Sequence, residues 1–204
     1  MVDHVGMLNY WRASNGKGVY GDQWGDIANV PPLAYTRRRF LDPFVNPTHT
    51  ALEIGPGGGR WTQLLLGFRH LYVVDRYQEL LDELARTVDG AEAVRNNGSD
   101  FPGVPDRSVH FVFSFGTFVH LDADTIAAYL TNLHRILVPA ANVVLHYSDK
   151  RKVMARENPG FADMTPDRMR TLLAAHRYRI VDEDDTSLWH SSVVRFVDDE
   201  AHIP

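Results

Sequence analysis

From residue 50 onward, short apolar runs alternate with segments whose apolar residues recur at helical spacing. Thr50 to Ile54 reads as a buried strand, and residues 60–66 open a helix. Leu71 to Val74 is a second strand, closed by Asp75. Residues 78–88 place Leu80, Leu81, Leu84 and Val88 on one helical face. A third strand is expected over 91–95. The fourth, over 109–115, sets Val109, Phe111, Phe113 and Phe115 on one face. A helix over 124–137 turns Ile126, Leu130, Leu133 and Leu137 inward, and a fifth strand follows over 142–145. Thr165-Pro166-Asp167 has the form of an N-cap followed by a proline at the first helical position, opening a helix to about His176. Two last strands are expected over 178–182 and 192–197.

This alternation predicts an α/β fold: a doubly wound, mostly parallel seven-stranded sheet with helices on both faces. Too few residues separate the last two strands for a crossover helix. They are expected to pair as a hairpin, which makes one strand of the sheet antiparallel. The first 46 residues differ in pattern and are read as an N-terminal arm and lid, with residues 47–204 as the main domain. Residues 14–32, SNGKGVYGDQWGDIANVPP, are loop-like but carry Tyr20 and Trp24. Those aromatics either close over a ligand or pack the arm against the domain. A helix over 33–44, ended by Asn46-Pro47, completes the arm.

Hydrophobic residues make up 44% of the 204-residue chain and charged residues 23%, enough apolar material for one packed core. The absence of cysteine excludes disulfides, thiolate catalysis and cysteine-bound zinc, and fits a cytoplasmic location. No apolar run is long enough to span a bilayer, and MVDHVGMLNYWRAS lacks the layout of a signal peptide. A formal net charge of −5 weighs against nucleic acid as a partner. The basic runs 37–39 and 150–152 are read as solvated faces. Monomer and homodimer both stay open.

The chemistry is concentrated where the first strand ends. In ALEIGPGGGR, Gly55, Gly57, Gly58 and Gly59 bare the backbone at a strand-to-helix turn, where an open α/β sheet binds its ligands. The dinucleotide fingerprint G-x-G-x-x-G fails, because Arg60 or Thr62 falls on the last position, and no phosphate-loop pattern is present. Glu53, just before the turn, suits a cationic ligand better than a pyrophosphate. Asp75 ends the second strand, where a carboxylate can accept two ribose hydroxyls. Asp100 follows the third. Each acid alone can be a turn or cap residue; together they describe a cleft for a nucleoside with a positive centre.

The ordered series LEIGPGGGR, LYVVD, NGSDFPGVPDRSVHFVFSFGTFVHLD and VVLHYSD resembles the class I S-adenosylmethionine-dependent methyltransferases over residues 48–197. The resemblance implies S-adenosylmethionine as cofactor. Glu53, Gly55 and Gly57 would surround its methionyl part, Asp75 with Arg76 its ribose, and Asp100 and Phe101 its adenine. Ser114, Phe115 and Gly116 would lie beside the donor and substrate, with Trp24 closing on the cofactor. The front segment YGDQWGD, with EIGPGGGRWT, is similar to small actinobacterial sugar and glycan O-methyltransferases, including those of methylmannose polysaccharide synthesis. That implies a small-molecule or saccharide acceptor.

Methyl transfer to a hydroxyl requires a group that takes the proton. Histidine titrates in the right range, and two of the ten fall on the carboxyl side of the sheet: His120, beyond the fourth strand, and His146, ending the fifth. Either can be the base; each can instead be a packed ring. Tyr20, Asp122, Tyr147 and Asp149 are candidates for acceptor binding, Asp122 also being a ready helix cap. A metal reading, with magnesium as the ion, would use His120, His146 and Asp149. It departs from the pattern of magnesium-dependent relatives, since no Asp ends the fourth strand. The rival functions are a non-catalytic S-adenosylmethionine-binding module and an NAD-type oxidoreductase on the same sheet.

Overall fold

The computed structural model describes residues 3–14 and 19–198. Part of the loop-like stretch, residues 15–18, lies outside them. Seven strands form one sheet: β1 (Thr50–Ile54), β2 (His70–Asp75), β3 (Glu92–Arg95), β4 (Val109–Ser114), β5 (Leu137–Ser148), β6 (Tyr178–Asp184) and β7 (Ser191–Asp198). Their order is β3-β2-β1-β4-β5-β7-β6. β7 runs antiparallel to both β5 and β6, and the other neighbouring pairs are parallel. The expected hairpin is present, and its second strand is inserted next to β5.

Strand alternation sorts the core into two layers. On one face Leu52, Val74, Val112, Val143, Leu145 and Phe196 pack against α5 (Ala123–Ile136) and α7 (Pro166–Ala175). On the other, Ala51, Val73, Phe111, Phe113 and Val144 pack against α2 (Pro31–Phe40), α3 (Thr62–Leu65) and α4 (Gln78–Leu84). Phe111 stacks between Phe44 at 5.3 Å and Phe68 at 5.4 Å. Asp122 caps α5 by accepting from Thr125 N–H, and Thr165 caps α7 by accepting from Arg168 N–H.

Several boundaries differ from the sequence expectation. α3 is a single turn, because the glycine-rich turn takes up the preceding residues. β5 begins at Leu137, directly at the end of α5, so Leu137 is a strand residue. Val109 joins the opposite core layer from Phe111. The pairing register shifts between those two residues, which breaks the alternation. The basic runs are largely tied down. Arg39 donates to Asp182 and Arg37 to Asp42, while Lys150, Arg151 and Lys152 pin the loop after β5 to nearby carbonyls and carboxylates. Among the described residues no helix is long and apolar enough to cross a membrane.

Two helices have no counterpart in the sequence reading: α1 (His4–Ala13) and α6 (Val153–Glu157). α1 is capped by Asp3, whose carboxylate accepts from Gly6 N–H. It buries only Leu8, which meets Tyr20 and Leu80. One inward residue over three turns leaves too weak a periodicity to read. Arg12 anchors the helix to the buried carboxylate of Glu83 on α4.

Phe111→Ala removes a ring packed on both sides. It is expected to lower stability by roughly 3–5 kcal/mol, read as a drop in the urea midpoint at unchanged slope.

Candidate active site

The carboxyl edge of β1, β2 and β4 is built around the turn after Ile54. Gly57 has φ +57°, and a side chain added there would meet nothing within 4 Å. Its backbone therefore faces open space at a left-handed geometry that glycine adopts without strain. The neighbouring glycines serve packing. A Cβ on Gly55 would collide with Thr117, whose hydroxyl donates to Gly55 O at 3.2 Å. On Gly58 it would come within 2.7 Å of Tyr20 N and Cβ, and on Gly59 within 2.7 Å of Val88 and Leu84.

Two carboxyls are buried at this edge with few partners. Glu53 is 2% exposed and accepts a 2.5 Å bond from Thr62 Oγ1. Burial pushes its carboxyl up to about 8, against the Thr62 bond. Asp75 is 8% exposed and accepts from Tyr77 N–H through Oδ1 at 2.9 Å. Burial raises it to about 6, opposed by the N–H groups of Tyr77 and Arg76 and by the Arg76 charge. Arg76 itself is exposed, its guanidinium 5.3 Å from the Tyr77 ring. Asp100 sits in the turn after β3, its Oδ1 held by Asn97 N–H at 2.8 Å. The buried Asn96 side chain ties that turn to Tyr129. Phe101 is a core residue at 2% exposure, so its ring does not face the cleft.

Other proposed contacts resolve into supports. Ser114 is fully buried and donates to Ile54 O at 2.7 Å, joining the ends of β4 and β1. Tyr147 is 0% exposed in the α5–α7 layer, on the face opposite His146, so it is not an acceptor contact. Asp122 caps α5 and is exposed. Trp24 is 54% exposed and packs edge-on to Tyr20, 5.6 Å away. Tyr20 is the buried one of the pair, seated on Gly58, while Arg60 holds the arm through Gly25 O. The arm thus docks on the glycine turn.

The two histidines part company. His146 is 2% exposed and stacks on Phe115 at 3.9 Å. Its Nδ1 accepts from Gly116 N–H at 3.0 Å, which places the proton on Nε2, facing Ser191 Oγ at 2.5 Å. Both nitrogens are engaged, and burial, reinforced by His190, His120 and Lys152, holds the ring neutral. In this arrangement His146 has no free lone pair, Nδ1 being taken up by Gly116 N–H and Nε2 facing Ser191. His120 is partly exposed. Its Nδ1 faces Gly160 O at 2.7 Å; a carbonyl only accepts, so Nδ1 carries the proton and Nε2 keeps a lone pair. Burial lowers its affinity for a second proton.

His4, at the start of α1, was missed because that helix was missed. Its ring lies 5.1 Å from His120 and 5.9 Å from Tyr77, so α1 covers the site from above. Burial, His120 and Arg76 push His4 down to about 4, with Asp3 opposing.

The magnesium reading does not survive. Arg151 binds both oxygens of Asp149, and Ser192 adds a bond at 3.0 Å. With His146 also engaged, only His120 of the three has a free donor atom. Among the described residues no three His, Cys, Asp or Glu are grouped to hold a metal ion. A cavity of about 360 Å³ between Phe44, His49, His110 and Asn142 lies at the opposite edge of the sheet. It has neither the glycine turn nor the converging acids, so the chemistry is not placed there.

Residues 51–140 match the family model described as a methyltransferase domain. This stretch is similar to a methyltransferase domain. It spans β1 through the start of β5, and so holds the glycine turn, Glu53, Asp75, Asp100 and His120. Solved structures share the fold of nearly the whole chain. The PH0226 protein from Pyrococcus horikoshii is 14% identical with a TM-score of 0.71, over 93% of this chain and 98% of that one. A SAM-dependent methyltransferase from Aquifex aeolicus is 15% identical, TM-score 0.65, over 97% and 100%. A TehB-like SAM-dependent methyltransferase from Corynebacterium glutamicum is 17% identical, TM-score 0.65, over 96% and 97%. No curated protein matches the sequence. The family model points to a methyltransferase domain over 51–140, and the solved structures show that the fold extends over nearly the whole chain. Two features suit a nucleoside ligand with a positive centre: bare backbone at Gly57 faces open space, and Asp75 offers a buried carboxylate bonded only by the N–H groups of Arg76 and Tyr77.

Both buried carboxyls hold their protons more tightly in the folded chain than in the unfolded one. Their contribution to stability is complete below the ordinary carboxylate range. It is lost as pH rises through about 6 for Asp75 and about 8 for Glu53. Glu53→Gln keeps an acceptor for Thr62 and removes the titration. It is expected to match the wild type near pH 4 and to melt several degrees higher near pH 9 in the ligand-free protein, measured by thermal denaturation across pH.

Proposed function

We propose that this protein transfers a methyl group from S-adenosylmethionine to a hydroxyl of a small polar acceptor, a sugar being the favoured class, with His120 as the base. The observation that carries the reading is the His120 tautomer set by Gly160, which leaves Nε2 free to take a proton at the carboxyl edge of the sheet. The front segment's similarity to sugar O-methyltransferases supports the acceptor class.

Asp75 would accept from the ribose hydroxyls, Asp100 would accept from the adenine amino group, and Glu53 with the Gly57 backbone would hold the methionyl end. Binding a hydroxyl pair or a cation favours the ionised carboxylates that burial disfavours in the empty cleft. The cofactor supplies a sulfonium methyl, an electrophile whose carbon–sulfur bond breaks with its electron pair going to sulfur. The acceptor oxygen forms the new carbon–oxygen bond, and its proton passes to His120 Nε2. The chain's main contribution is alignment and exclusion of water, which can supply roughly 7–11 kcal/mol in favourable cases. His146 serves by fixing Phe115 and the Gly116 N–H, and α1 serves by covering His120.

His120→Ala is expected to lower kcat by about 10²–10⁴-fold while leaving the affinity for S-adenosylhomocysteine nearly unchanged by calorimetry. In the wild type, kcat/KM should fall as pH drops through a value below the ordinary histidine range, the direction in which burial moves His120. Full turnover in His120→Ala on the true acceptor would place the base elsewhere.

A further inference from the structure

The loop between β6 and β7 brings another histidine, His190, to the same edge as His120. Its ring lies 4.9 Å from Phe161 and 6.0 Å from His146. Phe161 in turn lies 5.5 Å from His120. Two imidazoles therefore flank one phenyl ring. His190 Nδ1 is buried and has no hydrogen-bond partner in the chain. A buried imidazole nitrogen left unpaired is unfavourable.

The unpaired nitrogen is not the by-product of a loose loop. His190 O accepts from Asp149 N–H at 3.2 Å. The next residue, Ser191, contacts His146 through its hydroxyl and accepts from Lys152 Nζ through its carbonyl at 2.6 Å. Lys152 also donates to Leu188 O at 2.8 Å, so residues just after β5 hold the backbone on both sides of the ring. Burial, the Lys152 charge and His120 keep the His190 ring neutral, so it offers one donor and one acceptor.

We propose that His190 binds a second hydroxyl of the acceptor, which makes the acceptor class a cyclic polyol: the reacting hydroxyl at His120 and another at His190 Nδ1, with the apolar C–H face over Phe161. An apolar floor with polar groups on both sides matches a saturated ring whose hydroxyls project from its edges. The inference rests on the methyl-transfer reading above and adds the partner of the second hydroxyl.

The test uses the full chain with S-adenosylmethionine and a panel of monosaccharides and inositols, their deoxy analogues and simple mono-alcohols, scored by release of S-adenosylhomocysteine. The wild type should prefer polyols. His190→Ala should raise the acceptor KM by about tenfold or more with kcat within about threefold. It should also stop distinguishing the polyol from the analogue lacking the second hydroxyl. Equal KM in wild type and His190→Ala, or discrimination kept by the variant, overturns the assignment. Turnover of mono-alcohols alone overturns it too, while leaving methyl transfer to a hydroxyl standing. No heat with S-adenosylhomocysteine and no turnover of any acceptor would sink the underlying reading, and this one with it. A readout free of acceptor is the melting temperature of His190→Phe. A nitrogen kept for a ligand predicts no loss, whereas a drop of several degrees would assign that nitrogen a structural partner and overturn the proposal.

Discussion

Clearance at the turn after β1 is the constraint on which the rest depends. Thr117 comes up against Gly55, the Tyr20 backbone against Gly58, and the side chains of α4 and Val88 against Gly59. A methyl group at any of these positions would push away a different part of the chain. β4's exit, the N-terminal arm and the helix after β2 therefore meet at one point because that point has no side chains. Gly57 alone faces open space, and it is there that a ligand can approach the backbone.

The carboxyls around the turn are held in an unfavourable state until something binds. Glu53 and Asp75 are buried with one or two partners each, and burial raises both carboxyls, Glu53 to about 8 and Asp75 to about 6. The same low-dielectric setting strengthens any hydrogen bond or charge contact that a ligand later makes with them.

The histidines show how partners, more than residue type, assign roles. His120 and His146 are the same side chain on the carboxyl side of the sheet, one in the turn after β4 and the other near the end of β5. A carbonyl opposite one Nδ1 and an N–H opposite the other produce opposite tautomers. One ring keeps a lone pair on Nε2, and the other spends both nitrogens on Gly116 and Ser191. His4 and His190 come from opposite ends of the chain, and only packing places them near His120.

The strand and helix alternation, the single antiparallel strand, the glycine turn and the acids ending β1, β2 and β3 were legible in the sequence. They rest on local periodicity and on residues whose role follows from being at a strand end. The α1 helix was not legible, because one buried leucine in three turns carries no periodic signal. That Val109 joins the opposite core layer from Phe111 was hidden by a register shift that depends on β5. Ser114, Phe101 and Tyr147 looked like cleft residues by position, and only the sheet's geometry turned them inward. The choice between His120 and His146 belonged wholly to tertiary structure. A ring's protonation site is decided by whichever backbone group faces it, here 40 residues away for one and 30 for the other, and no local pattern encodes so distant a neighbour.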